Sequence, residues 1–373
     1  MRILVISHEF PPIGGGGANA CYYLTRDFSR RGHKVTVITA NYQGLPDREI
    51  LDGVEVFRVP SKRKNQEHCS FGEMLDYLLK AWPVAKKMVK REEYDICQVF
   101  FGIPSGPIGY LLKKKYHLPY VIRFGGGDIP GFQARFDKMY KLIAPFLKLI
   151  WRKSDCLVAN SVGLKKFAYD FFDKKDIEVI TNGVDTNKYT PKEHSDDAIN
   201  LLFVSRLIER KGLQFLLPQI RQIARESNQK VRLTIVGDGP YRSVLEDIVK
   251  KEKIEQYVSF AGYKDKEQIV TYYQNADIFV LPSKKEGMPN VVLEAMACGL
   301  PIVMSPCEGS AELIRDNGRI VAPEQMAQDI IMLCNDREQR IRMGVESRKM
   351  AVEQFGWEKI GASYLEIYRA ILG

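Results

Sequence analysis

Met1-Arg2-Ile3-Leu4-Val5-Ile6-Ser7-His8-Glu9-Phe10-Pro11-Pro12-Ile13-Gly14-Gly15-Gly16-Gly17 opens the chain. Ile3–Ile6 is an unbroken apolar run, the pattern of a strand covered on both faces. The Pro/Gly stretch from Phe10 to Gly17 can only be a loop, and Ala18–Arg31 reads as a helix that stops at Gly32-His33. Val35–Ile38 is the next strand. Strand, glycine-rich loop, helix, strand is how a doubly wound α/β domain begins.

The alternation continues outward from there. Strands are expected at Ile96–Phe100, Pro119–Ile122 and Leu157–Ala159, and helices at Met74–Lys90 and Phe136–Arg152, the latter interrupted near Pro145. After Asn182-Gly183-Val184-Asp185 comes a polar stretch, Thr190–Asp197, which reads as a linker. A second α/β series follows, with strands at Leu201–Val204, Leu233–Val236, Val258–Phe260, Ile278–Leu281 and Ile302–Met304. A last helix is expected near Glu358–Leu372. With 373 residues and roughly 100–200 residues per domain, the chain divides into 1–190 and 191–355. In open α/β sheets, ligands bind at the carboxyl ends of the strands, so the loops at those ends are where chemistry is sought.

Composition excludes several classes. Apolar residues are 45% and charged residues 27% of the chain, ordinary for a globular protein. The net charge of +9 is lopsided: residues 1–190 hold 30 Lys+Arg against 20 Asp+Glu, residues 191–373 hold 25 against 26. An anionic membrane surface, an anionic substrate or a solvated basic face each fits that excess. Nucleic acid is disfavoured because no basic–aromatic recognition module accompanies the charge. The seven cysteines form no C-x-x-C pair, which argues against a disulfide framework or a zinc site and suits a reducing cytosol. The apolar run at the N-terminus is too short for a secretory segment, and no run nears the roughly 20 residues that span a bilayer.

Six segments could carry chemistry. In Glu286-Gly287-Met288-Pro289-Asn290-Val291-Val292-Leu293-Glu294-Ala295-Met296-Ala297-Cys298-Gly299, Asn290 reads as an N-cap, Val291–Cys298 as helix, and Gly299 with Pro301 as the stop. The helix start aims free N–H groups at the strand ends, a phosphate site. Glu286 and Glu294 flank it and suit hydroxyl recognition; Glu294 could equally serve only the helix N-terminus. Arg206 and Lys211, in Ser205–Gly212, stand after a strand and could hold a diphosphate, or lie on the surface. Val236-Gly237-Asp238-Gly239-Pro240 either lines the site or is a tight turn. In the first half, Gly14–Gly17 could approach a phosphate with bare backbone. It fails as a dinucleotide fingerprint, because Asn19 stands at the third glycine position and no acid ends the second strand. Asp128, after Phe124-Gly125-Gly126-Gly127, could accept a sugar hydroxyl or cap its own turn. Arg135–Lys153, basic and apolar by turns, is either a membrane-docking segment or an ordinary helix with one buried face.

Together these motifs resemble the retaining glycosyltransferases of family 4, the group 1 glycosyl transferases, nearly end to end. The resemblance rests on Glu286-x7-Glu294 with Ala295–Val303 after it, on Arg206–Gly212, Val236–Pro240 and Asn182–Asp185. It implies a GT-B fold: two Rossmann-like α/β domains facing a central cleft, an acceptor-side domain 1–190 rejoined by a helix at about 356–373, and a donor-binding domain 191–355. It implies that Glu286, Arg206, Lys211 and Asp128 are catalytic. Gly16, Gly17, Gly237, Gly287, Met288, Pro289, Asn290, Val291 and Glu294 would bind the donor. Within that set Arg206 and Lys211 take the diphosphate, Glu294 the ribose and Glu286 the transferred sugar. The activity implied is retaining transfer of a hexose from a UDP- or GDP-linked donor, without metal or other cofactor, to a lipid-linked or glycan acceptor in cell-surface polysaccharide or glycolipid assembly. That chemistry suits a cytoplasmic protein working at the inner membrane face. A nucleotide-sugar epimerase or a nucleotide-sugar-binding module without turnover would use the same architecture. One departure matters: relatives carry a His near Phe124–Asp128, where this chain has none among its five (His8, His33, His68, His117, His194).

Overall fold

A computed structural model describes residues 1–66, 69–132, 137–192 and 198–373. Glu67 and His68, Arg135 and Phe136 of the basic segment, and residues 193–197 of the expected linker, with His194, lie outside the described residues. The contacts divide the chain into two units: Met1–Asn182 with Trp357–Gly373, and Gly183–Gly356.

In the first unit the elements run β1 (Arg2–Ile6), α1 (Gly16–Arg30), β2 (Lys34–Ala40), β3 (Arg48–Leu51), β4 (Val54–Val59), α2 (Phe71–Arg91), β5 (Ile96–Phe100), α3 (Gly106–Tyr116), β6 (Tyr120–Arg123), α4 (Asp137–Lys153), β7 (Cys156–Ala159), α5 (Val162–Phe171) and β8 (Glu178–Val179). The sheet order is β3-β4-β2-β1-β5-β6-β7-β8. Every pairing is parallel except β3 with β4. That hairpin escapes the sequence reading because its period is weak. It is set by Asp52 and Gly53, both at positive φ (49° and 78°), the requirement of a tight two-residue hairpin turn. The central strands are buried on both sides, as their apolar runs demand.

The expected break at Pro145 does not occur: α4 runs through it. Pro145 lies on the exposed side of the helix, where water can take up the carbonyl that loses its N–H partner. The buried side is held by Leu147, Ile150 and Trp151.

The second unit runs β9 (Ile199–Val204), α6 (Leu213–Leu216), α7 (Ile220–Glu226), β10 (Val231–Val236), α8 (Arg242–Lys251), β11 (Val258–Gly262), α9 (Gln268–Gln274), β12 (Ile278–Leu281), α10 (Asn290–Ala297), β13 (Ile302–Met304), α11 (Ser310–Leu313), β14 (Gly318–Ile320), α12 (Met326–Asn335) and α13 (Arg337–Gln354). Its sheet is wholly parallel in the order β11-β10-β9-β12-β13-β14. The chain enters and leaves this unit side by side, with the Val184 amide donating to the Phe355 carbonyl at 2.8 Å. The unit therefore begins ahead of the polar stretch chosen as boundary, because Val184 and Tyr189 are buried in its core.

The final helix, α14 (Trp357–Leu372), belongs to the first unit. Arg31, the C-cap of α1, joins Asp27 (2.7 Å) to the Glu358 carbonyl (2.6 Å). Trp357 stacks on Tyr23 at 5.4 Å. Tyr368 donates at 2.6 Å to Oε1 of Gln98, a fully buried side chain in β5. Tyr368→Phe strands that acceptor, and we expect it to cost about 1–3 kcal/mol. Thermal unfolding should show a fall of several degrees; an unchanged midpoint would mean that this bond does not hold α14 in place.

Candidate active site

In the second unit, the loops after β9 and β12 are built as one piece. Gly212 sits at φ 77°, and a Cβ there would collide with the Pro282 carbonyl. Only glycine lets the two loops touch. The Arg210 carbonyl then accepts from the Lys284 amide (3.0 Å) and the Ser283 hydroxyl (3.3 Å), while the Arg210 guanidinium donates to the Lys285 carbonyl (3.1 Å). This frame brings Lys211 Nζ onto Glu286 Oε1, and Ser283 Oγ donates to the same oxygen at 2.7 Å. Both charged side chains are nearly enclosed, at 12% and 11% exposure. Burial opposes the Glu286 charge, yet Lys211, with Arg210 and the Ser283 hydroxyl, holds its pKa below the usual glutamate value. Lys211 spends one donor on Glu286 and keeps others for an anion.

Arg206 is half-buried in the same strand-end loop. That loop is stapled to the next one: the Leu207 amide donates to the Asp238 carbonyl (2.9 Å), and the Tyr241 amide to the Leu207 carbonyl (3.0 Å). Gly237, at φ 131°, would drive a Cβ into the Ser205 carbonyl. The close approach that glycine permits there packs the Gly237 segment against the Arg206 loop.

α10 starts one residue early. Pro289 is its N-cap and Asn290 its first helical residue, with no side-chain cap; Pro cannot continue a helix backward through a missing N–H but suits its entry. Gly299 ends it at φ 75°. Met288 and Pro289 are buried, whereas Gly287, Asn290 and Val291 are partly accessible. Gly287 lies against Gly309, where a Cβ would strike the Gly287 carbonyl.

Glu294, one turn into α10, accepts from the Tyr273 hydroxyl at 2.7 Å. Burial pushes its pKa up to about 7, with Tyr273, Lys266, Tyr189 and Lys188 pulling the other way. The two glutamates of the motif are thus split: Glu286 is held ionised by a cation, Glu294 is poised near neutrality. Ser283, Tyr273, Tyr189 and Arg210 escape the sequence reading; nothing local distinguishes them, since their partners come from other elements.

In the first unit, α1 starts at Gly16 with Gly15 as N-cap, so Gly16 and Gly17 are first-turn residues with helix-terminal amides rather than loop residues. Asp128 is buried, and each of its oxygens accepts from a backbone amide, Gly102 at 2.6 Å and Gly125 at 2.8 Å. Its carboxylate fastens the β5 and β6 loops. All seven cysteines are free. Among the described residues, no group of three or more His, Cys, Asp or Glu could hold a metal ion, and no helix is long and apolar enough to cross a membrane.

Comparison with solved structures gives the class. The chain matches sucrose-phosphate synthase from Thermosynechococcus elongatus with a TM-score of 0.84 at 22% identity, covering 100% of this chain and 99% of that one. It matches Anabaena HepE, solved with UDP and glucose, with a TM-score of 0.77 at 19% identity over 99% and 100%. The fold is GT-B. The family description "Glycosyl transferases group 1" matches residues 185–350, and "Glycosyltransferase Family 4" residues 14–188. Relatives of known sequence agree. An uncharacterised glycosyltransferase of Methanocaldococcus jannaschii is 28% identical over 99% of this chain and 98% of its own length. N-acetyl-alpha-D-glucosaminyl L-malate synthase of Bacillus anthracis is 27% identical over 97% and 96%. A GDP-mannose-dependent alpha-(1-6)-phosphatidylinositol monomannoside mannosyltransferase of Mycobacterium tuberculosis is 24% identical over 99% and 98%. The chain belongs to the group 1 glycosyltransferases of family 4, and its activity is glycosyl transfer.

The raised Glu294 pKa has a measurable sign. Between the ordinary glutamate value and about 7, the folded chain holds a proton that the unfolded chain has released. Stability therefore falls as pH rises through that window and stays lowered above it. Glu294→Gln should raise stability by about 2 kcal/mol at pH 8 and by much less at pH 5. Thermal unfolding at the two pH values reads this; an equal effect at both would refute the protonation account.

Proposed function

We propose that this enzyme transfers a hexose, with retention of anomeric configuration, from a UDP- or GDP-linked donor bound by the second unit to an acceptor carried at an anionic membrane surface. The observation that carries the donor half is the enclosed Lys211–Glu286 pair beside the first turn of α10. A diphosphate placed against that helix start meets free amides and the remaining Lys211 donors, with Arg206 as the second cation. Neutralising the leaving diphosphate by such donors is typically worth about 3–4 kcal/mol per contact in the transition state, so no metal is called for. Glu294 accepts from the ribose hydroxyls. Glu286, already ionised and oriented by Ser283, accepts from hydroxyls of the transferred sugar. A donor phosphate oxygen takes the acceptor's proton on the front face, so no side-chain base is needed. HepE was captured with UDP and glucose, and the mycobacterial relative is named for GDP-mannose; both bases stay open for this chain.

The acceptor half rests on the first unit's surface. Met74 of α2 and Met139 and Ile143 of α4 pack against one small buried cluster, Ile103, Tyr140 and Leu147. Outward the two helices leave Phe71, Leu75 and Leu79 on one and Leu142 and Phe146 on the other exposed, Leu142 to 83%. Lys87, Lys90, Lys138, Lys141 and Lys148 of the same helices are exposed too. Exposed apolar side chains on helices that also present lysines suit the headgroup layer of an anionic bilayer, and an acceptor anchored there would be lipid-linked.

Two measurements test these halves separately. In thermal unfolding with UDP, GDP and ADP, one nucleotide at 100 times its dissociation constant should stabilise the wild type by about 2.7 kcal/mol and leave Arg206→Ala/Lys211→Ala unmoved. Equal stabilisation of the variant would remove the diphosphate role from these cations. In vesicle sedimentation, the protein should pellet with phosphatidylglycerol-containing vesicles, release at high salt, and release on Leu142→Glu/Phe146→Glu. Equal binding to neutral phosphatidylcholine vesicles would sink the membrane half.

A further inference from the structure

At the carboxyl edge of the first unit's sheet stands an aromatic side chain that the family motifs do not mention. Phe101 follows β5 directly and holds φ at 70°, a left-handed conformation that an aromatic residue rarely adopts. Its ring is only partly buried. Two glycines make room for it. A Cβ on Gly17, in the first turn of α1, would collide with the ring, and so would a Cβ on Gly125, in the loop after β6. His8, after β1, meets the ring edge-on at 4.8 Å and is kept neutral by burial, its pKa pushed down to about 4. Asp128 fastens the same corner, tying Gly125 to Gly102, the residue after Phe101. Loops from three strand ends are thus arranged around one ring, where an open α/β sheet binds its ligands.

The arrangement also accounts for the departure noted in Phe124–Asp128. A histidine at position 125 and the Phe101 ring cannot occupy the same space. Here the space is filled from β5 by a face without hydrogen-bonding atoms. An aromatic face carries partial negative charge and attracts polarised C–H groups, and the C–H face of a pyranose offers such groups in a plane of matching size. We propose that Phe101 is a stacking platform for a pyranose ring, with Gly17 and Gly125 kept as glycine so that the platform can stand. The ring recognised is selected by its C–H face rather than by a hydrogen bond to one hydroxyl. The inference rests on the glycosyl transfer established above and not on the identity of the donor nucleotide.

The test uses the whole chain and Phe101→Asn, since asparagine tolerates a positive φ. The probes are UDP and GDP; UDP-glucose, UDP-N-acetylglucosamine and GDP-mannose; and the methyl pyranosides of glucose, N-acetylglucosamine and mannose. Saturation-transfer NMR reads the sugar C–H protons, and calorimetry reads affinity. The wild type should transfer saturation to the C–H face of at least one sugar. Phe101→Asn should weaken that ligand by about tenfold and leave the bare nucleotides within about twofold. Phe101→Trp should retain the signal. Loss in the sugar-nucleotide arm assigns the ring to the donor sugar, and loss in the methyl pyranoside arm to the acceptor. The proposal is overturned if sugar affinity is unchanged in Phe101→Asn, if bare nucleotides weaken in parallel, or if no sugar-bearing probe binds the wild type. If Phe101→Asn does not fold, Phe101→Leu, which keeps apolar volume without an aromatic face, gives the same readout. Pyranoside binding by a wild type that ignores all nucleotides would overturn the donor reading and leave the platform standing.

Discussion

The joined loops at the strand ends of the second unit close on one ion pair, Lys211 with Glu286. A lysine and a glutamate this enclosed lose most of their hydration, and each is tolerable only because the other is there. The pair is possible because Gly212 can pass against the Pro282 carbonyl. The loops after β9 and β12 then exchange hydrogen bonds through Arg210 along their whole contact. The parallel sheet contributes the rest: β12 lies beside β9, so residues 75 positions apart in the chain emerge at one edge.

The same economy separates the two glutamates of Glu286-x7-Glu294. They share a motif and a helix start, yet their environments push them apart. Glu286 faces cations and a hydroxyl and stays charged. Glu294 lies among Tyr273 and Tyr189, whose rings exclude water and offer hydroxyls but no charge, and it is drawn toward neutrality. A carboxyl held near its neutral form is unstable company for a folded core at high pH, which is a cost typical of residues kept for a ligand rather than for stability.

The first unit answers a different physical demand. Its exposed apolar residues on α2 and α4 lie outside its buried core, and its glycine-framed Phe101 packs at the edge of that core, only partly covered. The core is served by both faces of the sheet and by α14, whose Tyr368 reaches the buried Gln98. Features that folding does not use, on a unit whose interior is complete, are where ligands and surfaces are met.

Strands and most helices were legible in the chain itself, because a buried parallel strand must be a continuous apolar run and an α/β helix must carry one apolar stripe. Ile3–Ile6, Leu201–Val204 and Ile278–Leu281 could be read directly, and so could the stop at Gly299. The motifs Glu286–Glu294 and Arg206–Gly212 carry the family resemblance in the chain itself. What the sequence could not decide were matters of partners far apart in the chain. It left Asp128 between a sugar contact and a cap, and only the fold brings the Gly102 and Gly125 amides onto its two oxygens. It could not show that the Ser205 carbonyl behind Gly237 admits only glycine there. It predicted a break at Pro145 that an exposed helix face makes unnecessary. It was silent on Ser283, Tyr273 and Phe101. Periodicity is a local property, set by a residue and its near neighbours; hydrogen-bond partners, burial and the pKa values that follow from them are set by whichever strand end the sheet order brings alongside.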